Sequence, residues 1–156
     1  MNDLELRIQK LEDESAIRKL KAVYLNACDQ KDVDTIRACF TQNAELIYPP
    51  IGAFGMDGLI EVFTQMAVQT SITDVHQAHN AVIEIDGDTA SAEWNLSFAS
   101  YNPDDKSFRL LSSFYKDRYT RTDEGWKISF SQSCPRSVVD GSLAEAKVKA
   151  EWLEME

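Results

Sequence analysis

The spacing of apolar positions changes once along the chain, from a period near 3.6 to a period of 2, and the change falls after residue 73. Before it, Leu4, Ile8 and Leu11 predict a short apolar stripe on a first helix. Ile17, Leu20, Tyr24, Ala27 and Cys28 predict a second stripe. Asp32 or Asp34 is placed to cap a brief helix through "TIRACF". "AELIYPPIGAFG" reads as a strand, a proline turn and a short strand. Asp57 is placed to cap a helix over "GLIEVFTQMAVQ", with Leu59, Ile60, Phe63, Met66 and Ala67 on one face.

After the change, "VHQAHNAVIEID" predicts a long strand that leads into the turn "DGD" (86–88). Ala90, Ala92, Trp94, Leu96 and Phe98 then alternate with Ser91, Glu93, Asn95 and Ser97. "NPDD" (102–105) and "TDEG" (122–125) are turns on either side of "SFRLLSSFYKDRYTR", and Trp126, Ile128 and Phe130 alternate beyond them. "SLAEAKVKAEWLEME" predicts a C-terminal helix at about 142–155, anchored by Leu143, Val148, Trp152 and Leu153. Helices first and four long antiparallel strands afterwards argue an α+β fold, with helices packed on one face of a curved sheet. No repeat, low-complexity tract or linker divides the chain, which reads as a single domain over 1–156.

Composition narrows the partners. The 156 residues carry a formal net charge of −10, which repels phosphate backbones and anionic headgroups, so neither nucleic acid nor a membrane surface is expected to bind. The start, "MNDLELRIQK", lacks a signal peptide's apolar core, and no apolar run approaches the ~20 residues that span a bilayer. The three cysteines, Cys28, Cys39 and Cys134, show no paired metal-ligand spacing, and read as the reduced thiols of a cytoplasmic protein.

Both histidines of the chain, His76 and His79, fall in "VHQAHN". They are a metal site, a catalytic base with a neighbour, or two packed rings. Side chains three apart on a strand point to opposite faces, so the two cannot share an ion unless a bulge intervenes, and no metal is expected. One histidine then faces the helices and the other the surface. A base needs an acid to orient its ring. Asp29 lies one helical step, about 100°, from the buried Cys28. It is either a solvated end-of-helix charge or a group aimed at the sheet, and spacing alone favours the former.

Three stretches together resemble a known family. "LEDESAIRKLKAVYLNACDQKDVDTIRACFTQNAEL" is similar to its first helices, "HQAHNAVIEIDGDTASAE" to its His-x-x-x-Asn strand, and "FYKDRYTRTDEGWKI" to its Tyr-x-Asp strand and Gly-x-Trp hairpin. Over residues 10 to 137 the chain resembles the SnoaL-like families of the nuclear transport factor two-like superfamily, which include scytalone dehydratase, bile-acid dehydratases, polyketide cyclases and non-enzymatic subunits. The resemblance implies a cone-shaped barrel: a curved antiparallel sheet around about three N-terminal helices, enclosing a cavity. It implies that Asp29, near the end of the long helix, pairs with His76, and that Tyr24, five residues before the aspartate, joins them. Arg136 falls near a substrate-binding arginine of the bile-acid dehydratases. A second strand histidine of scytalone dehydratase has no counterpart.

An Asp–His pair in an apolar cavity suits abstraction of a proton beside a carbonyl, with Tyr24 donating to the enolate or to a departing hydroxyl. Elimination, isomerisation and aldol-type cyclisation share that step, and none needs a cofactor. The expected function is therefore a lyase or isomerase; the alternative is a non-catalytic binder or accessory subunit. Asn80, on the face of His76, is expected to orient a substrate carbonyl. Phe54, Phe63, Trp94, Leu96 and Phe98 are expected to wall the cavity, implying a small hydrophobic substrate. Tyr101, Tyr115 and Tyr119 read as wall or edge residues, and Asp117–Arg118 as a surface ion pair. If His76 and Asn80 face inward, Ala81, Ile83 and Ile85 face outward. That apolar strip predicts a homodimer through the outer sheet face.

Overall fold

The structure, a computed structural model, describes residues 3–144. Helix α1 runs from Asp3 to Gln30 and the short α2 from Val33 to Ala38, with the Asp32 side chain accepting from the Thr35 N–H at its start. Strands β1 (Phe40–Tyr48) and β2 (Gly52–Phe54) form a hairpin around the Pro49-Pro50 turn. Helix α3 (Met56–Phe63) follows, then β3 (Thr73–Asp86), β4 (Thr89–Tyr101), β5 (Ser107–Thr122) and β6 (Gly125–Ser142). The fold is α+β. One six-stranded sheet, in the order β2-β1-β6-β5-β4-β3, carries the helices on its inner face.

Two details of the expected cone differ. The sheet is open, with β2 and β3 as its edges. It is also not wholly antiparallel, because β1 enters alongside β6 in parallel. The expected C-terminal helix lies, beyond the end of β6, outside the described residues.

The helices also depart from their predicted faces. Leu4, Ile8 and Leu11 are 61%, 46% and 68% exposed, and the first buried residue of α1 is Asp13. Its buried stripe is Asp13, Ile17, Lys21, Tyr24, Leu25, Ala27 and Cys28, so two charged residues join the apolar ones that were expected there. Gly55, not Asp57, occupies the cap of α3. Asp57 sits in the first turn, where the helix dipole favours a carboxylate, and receives Arg37 at 2.8 Å. The helix then widens into a π turn over Thr64–Val68, which rotates Met66 out of the predicted face into solvent.

The most consequential departure is a bulge in β3. Pairing runs regularly to His79↔Asn95 and resumes at Val82↔Glu93, so Asn80 and Ala81 together oppose Trp94. Asn80 absorbs the extra residue with a left-handed φ of 53°. The facing of the strand therefore reverses at this point. His76 and Ala78 face inward, Asn80 is exposed, and Ala81, Ile83 and Ile85 pack against the core. The outward apolar strip expected from these three residues does not exist.

Candidate active site

Asp29 lies in the last turn of α1, at the edge of its buried stripe, and His76 lies on the inner side of edge strand β3. The structure brings them together. Both carboxylate oxygens of Asp29 accept from the His76 backbone N–H, each at 3.1 Å. Oδ1 also lies 2.6 Å from Nδ1 of the ring. In the neutral ring this contact puts the proton on Nδ1 and the lone pair on Nε2, which has no partner among the described residues. Both side chains remain in reach of solvent, at 25% and 16% exposure. The Phe98 ring lies 4.6 Å from the imidazole, tilted by 52°. His79 faces outward, with Nε2 3.0 Å from the Ser97 hydroxyl.

Tyr24 bonds to neither side chain of the pair. Its hydroxyl meets that of Tyr48 at 3.3 Å, and its ring packs edge-on against Phe40 at 5.0 Å. Burial, and then the neighbouring Tyr48, raise its pKa well above the usual tyrosine value, so the phenol stays protonated. Burial likewise pushes the nearby Cys28 thiol up to about 12.

Of the residues expected to bind substrate, Phe98 packs against the His76 ring. Trp94 is a core residue whose Nε1 donates to the Tyr119 hydroxyl at 3.0 Å. Phe54 and Phe63 are half-buried and back the core beside β1 and α3. The β3 bulge turns Asn80 away from His76. A bulge in β6, where pairing steps from Ser137 to Pro135, leaves Arg136 exposed on the outer face, 4.8 Å from the Phe114 ring. The concavities of the outer face, one of them bordered by Val82, Glu84, Glu93 and Lys116, do not include the pair.

Two further charged contacts fasten α1 to the sheet. In the middle of the helix, Lys21 Nζ donates to Asp117 Oδ2 of β5 at 2.8 Å, and both side chains are buried. The ammonium rests 3.7 Å from the Tyr115 ring centroid. Tyr119 adds a second donor to Oδ2 at 2.9 Å, while Oδ1 has no partner among the described residues. Asp117 is thus not in a surface pair with Arg118. Adjacent residues of a strand face opposite sides, and Arg118 lies outside, over Phe130 at 4.2 Å. The signal was present in the alternation, which puts Asp117 on the same face as Tyr115 and Tyr119. Nearer the start of α1, Asp13 accepts from Arg121 at 2.6 Å, from Trp126 Nε1 at 3.0 Å and from Gln9 at 3.2 Å.

Comparison with known proteins places the chain in a family. The uncharacterized protein Rv2910c of Mycobacterium tuberculosis (strain ATCC 25618 / H37Rv) is 28% identical over 131 residues, covering 79% of this chain and 85% of that protein. A candidate aromatic ring hydroxylase from Novosphingobium aromaticivorans is 26% identical with a TM-score of 0.76, covering 88% of this chain and 98% of the other. Hexachlorocyclohexane dehydrochlorinase LinA-type3 from Novosphingobium barchaimii LL02 shares the fold at 18% identity and a TM-score of 0.79, covering 93% and 99%. The family model described as the SnoaL-like domain matches residues 9–132, and the chain belongs to that family.

Proposed function

We propose that the protein is a cofactor-independent lyase or isomerase, of dehydratase or cyclase type, acting on a small hydrophobic, cyclic carbonyl compound. The observation that carries this reading is the 2.6 Å contact between Asp29 Oδ1 and His76 Nδ1, with Nε2 free of partners among the described residues. Nε2 takes a proton from the carbon beside the carbonyl, and Asp29 stabilises the imidazolium that results. The electron pair of the enolate then expels a β-hydroxyl, is reprotonated at a more distant carbon, or attacks a second carbonyl. The proton on Nε2 passes to the departing hydroxyl, which leaves as water, to that carbon, or to the new alkoxide. Each outcome moves protons and bonds within one substrate and needs no oxidant. Phe98 offers the substrate ring an apolar wall beside the base. Tyr24 acts as the donor to the enolate by exchanging its Tyr48 contact for the substrate oxygen. The shared fold with a dehydrochlorinase, named for an elimination, is consistent with a lyase.

Proton NMR in deuterium oxide tests the reading with three cyclic ketones. Cyclohexanone reports α-proton exchange, 3-hydroxycyclohexanone reports dehydration, and 3-cyclohexenone reports isomerisation. At least one should react with wild-type protein and none with His76→Gln. Equal rates for the two proteins would remove the base from the reading.

A second reading, a non-catalytic binder or accessory subunit of the same fold, is favoured by the Tyr24–Tyr48 contact, which occupies the proposed donor. Mass spectrometry of small molecules retained by the purified protein separates the two. A binder releases its ligand unchanged.

A further inference from the structure

A second charged pair stands beside the first. The chain leaves α1 through Lys31, whose φ of 61° lies in the left-handed region. Its N–H reaches Cys28 O at 3.2 Å, and the N–H of Asp32 reaches Ala27 O at 2.9 Å, which closes the helix end. Glycine is the usual occupant of such a position. The lysine present there turns Nζ onto Asp74 Oδ2 at 3.1 Å, and the two side chains are 20% and 10% exposed. Asp74 and His76 are two apart on β3 and share its inner side. Asp29 and Lys31 are also two apart. The same helix end is therefore joined to the same strand by two neighbouring links.

We propose that Lys31 is a positioning residue for His76: by pairing with Asp74 it cancels the carboxylate two residues along the strand, so that the imidazole responds to Asp29 alone. This rests on the reading of His76 as the base. A base must be neutral before it can accept a proton, and each uncompensated carboxylate nearby favours the imidazolium instead. Among the described residues, Asp29 from α1 and the uncharged Phe98 from β4 touch the ring, and the Lys31–Asp74 pair stands two residues along the same side of β3. His79 is on the opposite face. With Lys31 and Asp74 paired, Asp29 can fix the ring's orientation without a second negative charge adding to its own.

The chain has two histidines, so a proton NMR titration reads His76 directly, with outward His79 as an internal reference. Lys31→Met leaves Asp74 uncompensated and should move the His76 midpoint up relative to His79. Asp74→Asn leaves Lys31 uncompensated and should move it down. The double variant should return it towards wild type, and Lys31→Arg should hold it there. Lys31→Gly suits the left-handed backbone but lacks the cation. It should keep the fold and still show the upward shift, which a purely structural role for Lys31 would not produce. Midpoints that stay fixed in both single variants, or move the same way in both, overturn the proposal. The titration needs no substrate. Shifts as expected in a protein that transforms none of the three ketones would therefore refute the base and leave the charge pairing standing.

Discussion

Asp29 holds His76 twice, through the ring nitrogen at 2.6 Å and through the backbone N–H at 3.1 Å. One carboxylate thereby orients the imidazole and ties edge strand β3 to the end of α1. The two effects can be separated by substitution. His76→Gln removes only the ring and should reduce turnover of a reactive ketone by ~10²–10⁴-fold with a small change in unfolding midpoint. Asp29→Asn should lose comparable activity and also stability, because it weakens the tie to β3. His79→Gln should stay within about threefold of wild type, given its outward, hydroxyl-bonded position. A larger loss for His79→Gln than for His76→Gln would place the chemistry on the other face.

Lys21 and Asp117 make a more severe demand on the fold. Both side chains are buried, and Asp117 Oδ1 has no partner among the described residues, so Oδ2 depends on Lys21 and Tyr119. Lys21→Met should destabilise the protein by about 3–5 kcal/mol, because it strands a buried carboxylate. Lys21→Met with Asp117→Leu should recover most of that loss, since neither charge remains. Urea unfolding of the two variants decides, and equal instability would show that the pair contributes through packing instead.

Acid should act on Asp13. Burial opposes its ionisation, but hydrogen bonds from Arg121, Trp126 and Gln9, with the Arg121 charge, hold its pKa below the usual aspartate value. A depressed native value contributes stability that is complete above the unfolded-state value and is lost as pH falls through the native one. Urea midpoints of wild type and Asp13→Asn should therefore differ at about pH 6 and converge towards about pH 2. A gap that persists to the acid end would contradict this linkage.

The reversal of β3 relocates the test for self-association. Ile83 faces the core, so Ile83→Lys should impair folding itself. A homodimer through the outer face would instead use Val82, Leu110 and Val139, which are all exposed. Light scattering should give about twice the 17.6 kDa chain mass, falling to one chain mass in a folded Val82→Lys variant. A single chain mass for wild type at micromolar concentration would argue against the dimer.

How far each feature was legible depended on how locally it is written. The alternation from Ala90 to Phe98 identified both the strand and its buried face, because a regular strand needs only its own side chains to declare its facing. The same logic failed one strand earlier. The reversal in β3 depends on a single residue, Asn80, taking a left-handed φ, and asparagine at a strand position does not announce a bulge. Lys21 and Asp13 broke the apolar stripe of α1, and their partners Asp117 and Arg121 lie 96 and 108 positions away. No local pattern records such a pairing. Asp29 and His76 were brought to attention by family resemblance, since position on the helix alone favoured a solvated aspartate.

Three charged contacts of α1 with the sheet fall at Asp13, Lys21 and Asp29, eight residues apart each time. Eight residues turn a helix about 80° beyond two full rotations, so successive contacts point in progressively different directions around the axis. They meet Arg121 and Trp126, then Asp117, then His76, which takes them from β5 and β6 at the centre of the sheet to β3 at its edge. The helix is thus keyed like a screw thread. Sliding it by one turn, about 5.4 Å, or rolling it in place, would break all three contacts together. The alignment that seats the buried lysine on its aspartate is the same alignment that delivers Asp29 to its histidine.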